Sequence, residues 1–207
     1  VCSSDLAAQV TASSSFSGAA PFTQVFNTAN PLAMQLQAVA KMIGARTSFG
    51  AKRQVFMVSL GGFDLHDFLP TQHPPLLTNI SEALSQFYAA TQQMGVADSV
   101  TTFTASDFGR TYASNGDGSD HGWGSHHFVL GGSVNGKQFY GTAPEISVTS
   151  NDQVGQGRLL PSTSVDQFAA TLASWFGVSN SELNLVVPNI RSEEHTSELQ
   201  SHLMISY

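Results

Sequence analysis

Apolar positions fall at helical spacing in three stretches, and one continuous apolar run of strand length lies between the first two. Asn30-Pro31 pairs a capping residue with a proline at the first helical position. Leu32, Met34, Leu36, Val39 and Met42 follow, which predicts a helix to about Gly44. Gln54-Val-Phe-Met-Val-Ser-Leu60 is bounded by Gly61-Gly62 and suits a central parallel strand buried on both faces. A loop with Pro70, Pro74 and Pro75 comes next. Leu76, Ile80, Leu84, Phe87 and Tyr88 then lie near one face of a helix that reaches Met94. Asp98 to Ala105 is rich in β-branched residues and predicts a second strand. Strand, helix, strand is a βαβ unit, so the expectation is an α/β fold with a mainly parallel central sheet and a right-handed crossover.

Phe128-Val-Leu130 before Gly131-Gly132 reads as a further short strand, and 141–157 mostly as loop. Ser164 is placed to cap a last helix, which Gly177 stops. Val165, Phe168, Ala169, Leu172, Trp175 and Phe176 fall at helical spacing in it and are expected to pack in the core, with an aromatic substrate cradle as the alternative. Residues 7–29 show no period and read as loop or linker.

Composition narrows the partners. The 207 residues fit one domain, and a hydrophobic content of 41% suffices for a core. Only 11% are charged, which suits an extracytoplasmic protein. Eight Lys and Arg without a cluster, and a net charge of −7, argue against nucleic acid as a partner. No run approaches the roughly 18 apolar residues that a membrane span needs.

Both ends read as foreign. Residues 1–6 and 191–207 back-translate to a common sequencing-library adapter in its two orientations, and the expectation is that neither belongs to the fold. Cys2 then carries no redox information, His195 and His202 drop out as ligands, and the chain starts inside a longer protein.

Candidate chemistry clusters after the predicted strands, at the sheet edge where open α/β folds bind ligands. Asp64 and His66 flank one residue, so both side chains of an extended segment face one way and can share an ion. A loop Asp satisfying backbone amides beside a surface His is the alternative. Asp107 ends the second strand, as a ligand, a cap or the partner of Arg110; Arg110 itself suits an anionic substrate oxygen. Asp120-His121 lies in a Gly-rich loop, as a ligand pair or as a turn Asp with a surface His. At most one of His126 and His127 faces such a site, and His73 lies in a proline loop.

Gly-Gly-Phe-Asp-x-His at 61–66, Ser-Asp-Phe-Gly-Arg-Thr at 106–111, Asp-His-Gly-Trp-Gly at 120–124 and Pro-Ser-Thr-Ser-Val-Asp-Gln at 161–167 resemble the C-terminal half of domain-of-unknown-function family 1501. That family is similar to the alkaline phosphatase and sulfatase superfamily. The resemblance covers about residues 30–190 and implies part of an alkaline phosphatase-like three-layer α/β sandwich. It implies a divalent metal, zinc first and manganese, magnesium or calcium next. Asp64 and His66 correspond to its Asp/His ligand group, Asp107 to the acidic ligand after the next strand, and His121 to the late His ligand, with Asp120 as ligand or orienter. The family often has Glu at the position of Asp107, and the superfamily often has His where Phe108 stands.

The function implied is that of a secreted, bacterial, metal-dependent hydrolase of phosphate or sulfate esters. The resemblance also implies twin-arginine export to the periplasm or beyond. Its substrate would be a small anionic ester, held by Arg110. The nucleophile is expected in an N-terminal half, so no catalytic residue is assigned and the chain alone is expected to be inactive. The alternative is an exported, non-catalytic binding or surface protein that keeps the fold. A central sheet without its early strands would leave an edge open to association.

Overall fold

The computed structural model describes residues 21–147 and 149–192 and shows a mixed α/β protein of two compact units. The first is described from residue 21 to Leu65 and from Pro70 to Val100; the second holds His66–Leu69 and the chain from Thr101 onward. The expected adapter segments, except Arg191 and Ser192, and the expected linker up to residue 20 lie outside the described residues.

Two helices organise the first unit. Helix α1, Pro31–Gly44, starts where its cap predicts: the Asn30 side chain accepts from the amides of Leu32 and Ala33. Its buried face carries Leu32, Leu36, Val39 and Ile43, at the 3–4 residue spacing of one helix face. Each such burial contributes about 1.5–3 kcal/mol. Helix α2, Leu69–Gln93, buries Ala83, Phe87, Ala90 and Thr91. Residues 21–29 belong to this core: Phe22 and Phe26 are buried and meet edge to face at 5.8 Å. The Gln93 side chain accepts from the amides of Thr23 and Gln24 and fixes their path.

Helix α2 is longer than the sequence suggests. It starts at Leu69 rather than near Leu76 and contains Pro74 and Pro75. An interior proline costs about 3 kcal/mol, because it removes one backbone bond and crowds the preceding turn. Pro74 and Pro75 are the sixth and seventh residues of the helix, beyond the four orphan amides of its first turn, so the helix runs on without the two bonds they would have donated.

The expected mainly parallel sheet is not formed by the described residues. Gln54–Leu60 alternates inward and outward positions but has no ladder partner among the described residues: Phe56, Val58 and Leu60 pack on the helical core, while Val55 and Met57 face solvent. The second expected strand is short, β1 at Thr101–Phe103, and follows a 3₁₀ turn at Ala97–Ser99. It pairs antiparallel with β4, Val129–Gly131, with Thr102 opposite Leu130. A second antiparallel pair joins β2, Gly109–Ser114, to β3, Ser119–Gly122. The βαβ reading fails because Gln54–Leu60 joins no ladder among the described residues, and β1 pairs antiparallel with β4 instead. The layers of the expected three-layer sandwich require a central sheet that neither unit contains among its described residues.

Helix α3, Val165–Phe176, closes the second unit. Ser164 and Gln167 form a reciprocal capping box, and Gly177 ends the helix in the left-handed conformation at φ 104°. The apolar stripe packs less deeply than expected. Val165 is exposed, Phe168, Leu172, Trp175 and Phe176 are half-buried, and the buried positions are Gln167, Ala170 and Thr171. Ala170 packs with Leu183 of the short helix α4, Leu183–Val186, and with Val187 and Ile190. Phe168 instead turns to the rings of Phe103 and His127.

Candidate metal centre

The β2–β3 hairpin carries the site, and residues 66–69 lie against it. The hairpin turn Asn115-Gly-Asp-Gly118 closes with the Asn115 amide donating to the Gly118 carbonyl. Asp117 then holds the neighbouring segment: its carboxylate accepts from the Phe68 amide at 3.1 Å and its carbonyl from the Leu69 amide at 2.9 Å. Phe68 sits at φ 56°, a conformation that costs a non-glycine residue of order 1–3 kcal/mol and that these two bonds maintain. Gly118 permits the approach, since a Cβ there would overlap the His66 carbonyl.

The ladder is irregular where the ligands sit. Arg110 faces His121 and Ser114 faces Ser119, so Thr111, Tyr112 and Ala113 stand against Asp120 alone. The Asp120 amide turns to the Thr111 hydroxyl instead of a backbone carbonyl. Such a bulge bends the strand and re-aims side chains. Asp120 and His121, neighbours on one strand, therefore both reach His66. Asp120 Oδ1 lies 3.5 Å from His66 Nδ1, and the rings of His66 and His121 are 5.0 Å apart. Phe108 stacks on His121 at 3.9 Å between centroids. Asn115 donates to Asp120 Oδ1 at 2.9 Å and orients that carboxylate.

Asp64, two residues before His66, completes a group. Asp64, His66 and His121 each offer a ligand atom, all within 4.8 Å of one another, and all three side chains are exposed. Two ligands on a tetrahedral zinc ion stand about 3.4 Å apart, given ligand distances of about 2.1 Å. Exposed side chains close that difference by rotating. Two imidazoles and a carboxylate are a zinc donor set, and a carboxylate on the far nitrogen of one imidazole is the usual outer support. The residues present therefore fit a divalent ion of zinc type.

The other expected residues are placed differently. Asp107 is exposed and stands outside the three-residue group. Arg110 emerges opposite His121, but its guanidinium donates to Ser119, through Nε to the hydroxyl at 3.1 Å and through Nη2 to the carbonyl. His127 lies beside Thr104 and Phe168, where burial, and then the charge of His126, push its pKa below the ordinary value.

The family described as Protein of unknown function (DUF1501) matches residues 5–187. The chain belongs to that family. No curated protein and no solved structure matches it. The DUF1501 match spans every residue of the site, from Asp64 to His121.

Sequence reasoning did not single out Asn115, Asp117 or Ser119. Asn-Gly-Asp-Gly between two short polar-apolar alternations is a hairpin signal. Reading it as such would have placed Asp117 and Asn115 beside Asp120.

Proposed function

We propose that this DUF1501 protein is a metal-dependent hydrolase of small phosphate or sulfate esters, of the alkaline phosphatase and sulfatase type, that works outside the cytoplasm. The observation that carries the reading is the close approach of Asp64, His66 and His121, with Asp120 behind His66. Asp64, His66 and His121 would hold zinc, with manganese, magnesium or calcium as less suited occupants. The chemistry such an ion supplies is polarisation of a phosphoryl or sulfuryl oxygen.

The chain's own residues prepare the place. Asp120 keeps the Nδ1 side of His66 turned to a carboxylate, which leaves Nε2 for the ion. Phe108 holds the His121 ring in one plane. Arg110, on the same face as His121, binds an anionic oxygen once it exchanges Ser119 for the substrate. No described residue is assigned as nucleophile. Asp107 lies outside the group, so the reading rests on one ion. A small anion fits a protein with few and scattered basic residues better than nucleic acid does, and no helix among the described residues is long and apolar enough to cross a membrane.

The prior engagement of Arg110 by Ser119 favours a second reading, an exported binding protein that holds the ion without hydrolysis. Zinc titration followed by orthovanadate binding separates the two. The hydrolase reading expects vanadate to bind only to the zinc-loaded chain, and His121→Ala to lose both. Zinc without vanadate supports the binding protein. Failure to take up zinc defeats both readings.

A further inference from the structure

The turn that joins β2 to β3 carries Asn115-Gly116, one of two Asn-Gly pairs in the chain; the other is Asn135-Gly136. All four residues are exposed. An asparagine before a glycine is open to attack from within the chain, because the glycine has no Cβ to keep its amide nitrogen from the side-chain carbonyl carbon. Gly116 stands at φ 138°. Its amide donates to the Ser114 hydroxyl at 3.1 Å rather than to a backbone carbonyl, so moving that nitrogen breaks no ladder bond.

Asn115 reaches the metal centre by two routes. Its Nδ2 donates to Asp120 Oδ1 at 2.9 Å, and the same oxygen lies 3.5 Å from His66 Nδ1. The turn also places Asp117, whose carboxylate and carbonyl accept from the amides of Phe68 and Leu69 and so hold the segment that follows His66.

We propose that Asn115 is a deamidation site whose conversion weakens the metal centre, an inference that rests on the metal-binding reading above. The Gly116 nitrogen gives its proton to solvent and bonds to Cγ of Asn115, the Cγ–Nδ2 bond breaks, and ammonia leaves. Water then opens the cyclic imide at one of its two carbonyls, giving aspartate or isoaspartate. Aspartate replaces the Nδ2 donor with a carboxylate that repels Asp120 from its place behind His66. Isoaspartate adds a carbon to the backbone of the turn and shifts Asp117, and with it the segment at 66–69. Zinc on His66 would steady Asp120, and through it the Asn115 amide, so the loaded centre resists the conversion.

Peptide mapping by mass spectrometry during incubation at mildly alkaline pH, with and without zinc, tests this on the full chain. Asn115 should convert more slowly with zinc, while Asn135, in the same dipeptide, should convert at one rate in both. The converted chain should bind zinc about tenfold more weakly than the fresh parent in competition with a chromogenic chelator. Asn115→Gln, with its fold checked by circular dichroism, should keep through the same incubation whatever affinity it has when fresh, since only Asn135-Gly136 remains to convert. A fresh parent that takes up no zinc would defeat the metal reading and this proposal together. With zinc bound by the fresh parent, the proposal alone falls if Asn115 stays an amide while Asn135 converts, if zinc leaves the Asn115 rate unchanged, if the converted chain keeps its affinity, or if incubated Asn115→Gln loses as much as the parent.

Discussion

Phe108 lies flat on His121, with ring centroids 3.9 Å apart and planes inclined by 13°. The His66 ring is 5.0 Å from that of His121 between centroids. A phenylalanine thus stands beside the ligand group without being able to ligate, and its effect is to fix the plane of a ring that can. Stacked aromatic pairs contribute about 0.5–1.5 kcal/mol beyond their area. Phe108→Ala should therefore weaken zinc binding by roughly tenfold, at the low end of the 10–100-fold typical of residues that orient a ligand. Competition with a chromogenic chelator measures it. An unchanged affinity would show that the stack does not orient His121.

Gly118 is required by contact with the backbone of His66. Gly118→Ala must push residues 66–67 away from the hairpin. The expected cost is about 1–3 kcal/mol, the range for overpacking. Urea unfolding reads the stability, and the same sample should bind zinc more weakly, since His66 moves with its backbone. Loss of stability at full zinc affinity would contradict the placement.

Asn30 performs two tasks while 1% exposed. Its oxygen caps α1, and its Nδ2 donates to the Asn79 carbonyl and to the Glu82 carboxylate. Those bonds, Asn30 first and then Asn27, hold the Glu82 carboxyl below the usual carboxylate range. Asn30→Ala should cost about 2 kcal/mol, the upper end for a cap, because the Nδ2 bonds to the Asn79 carbonyl and the Glu82 carboxylate are lost as well. Thermal unfolding of the variant checks this.

His127 gives a pH dependence of known sign. Partial desolvation of its ring, and then the charge of His126, lower its folded pKa from the ordinary 6.5, so the unfolded chain binds the proton more readily. Its contribution to stability is complete above 6.5 and declines as pH falls from there through the lowered folded value. His127→Gln should flatten that part of the stability profile in urea titrations. An unchanged slope would place the proton elsewhere.

Local chemistry was legible in the sequence, and long-range pairing was not. Asn30-Pro31, Ser164 with Gln167, and Gly177 act within one helical turn, and the helices start and stop there. The apolar run at 54–60 has the composition of a buried strand, but composition does not specify a partner, and the described residues supply none. Pro74 and Pro75 read as a loop because their penalty is local, whereas the packing of Ala83 and Phe87 that sustains the helix lies further along. At the site, the spacing of Asp64 and His66 led to the expectation that both face one way, and ligand atoms of both fall in one three-residue group with His121. Asp120 and His121 were read as loop residues because of the surrounding glycines. They occupy a bulged strand, and the bulge depends on which residues of β2 stand opposite, a relationship the sequence does not display.

The most direct test of the account is the zinc content of the chain by plasma mass spectrometry, beside an Asp120→Ala, His121→Ala double variant. The account predicts near-stoichiometric zinc in the parent and its loss in a variant whose circular dichroism is unchanged. A well-folded parent without zinc after exposure to the ion, or a folded double variant that retains it, would contradict the assignment of His66 and His121 to a metal centre.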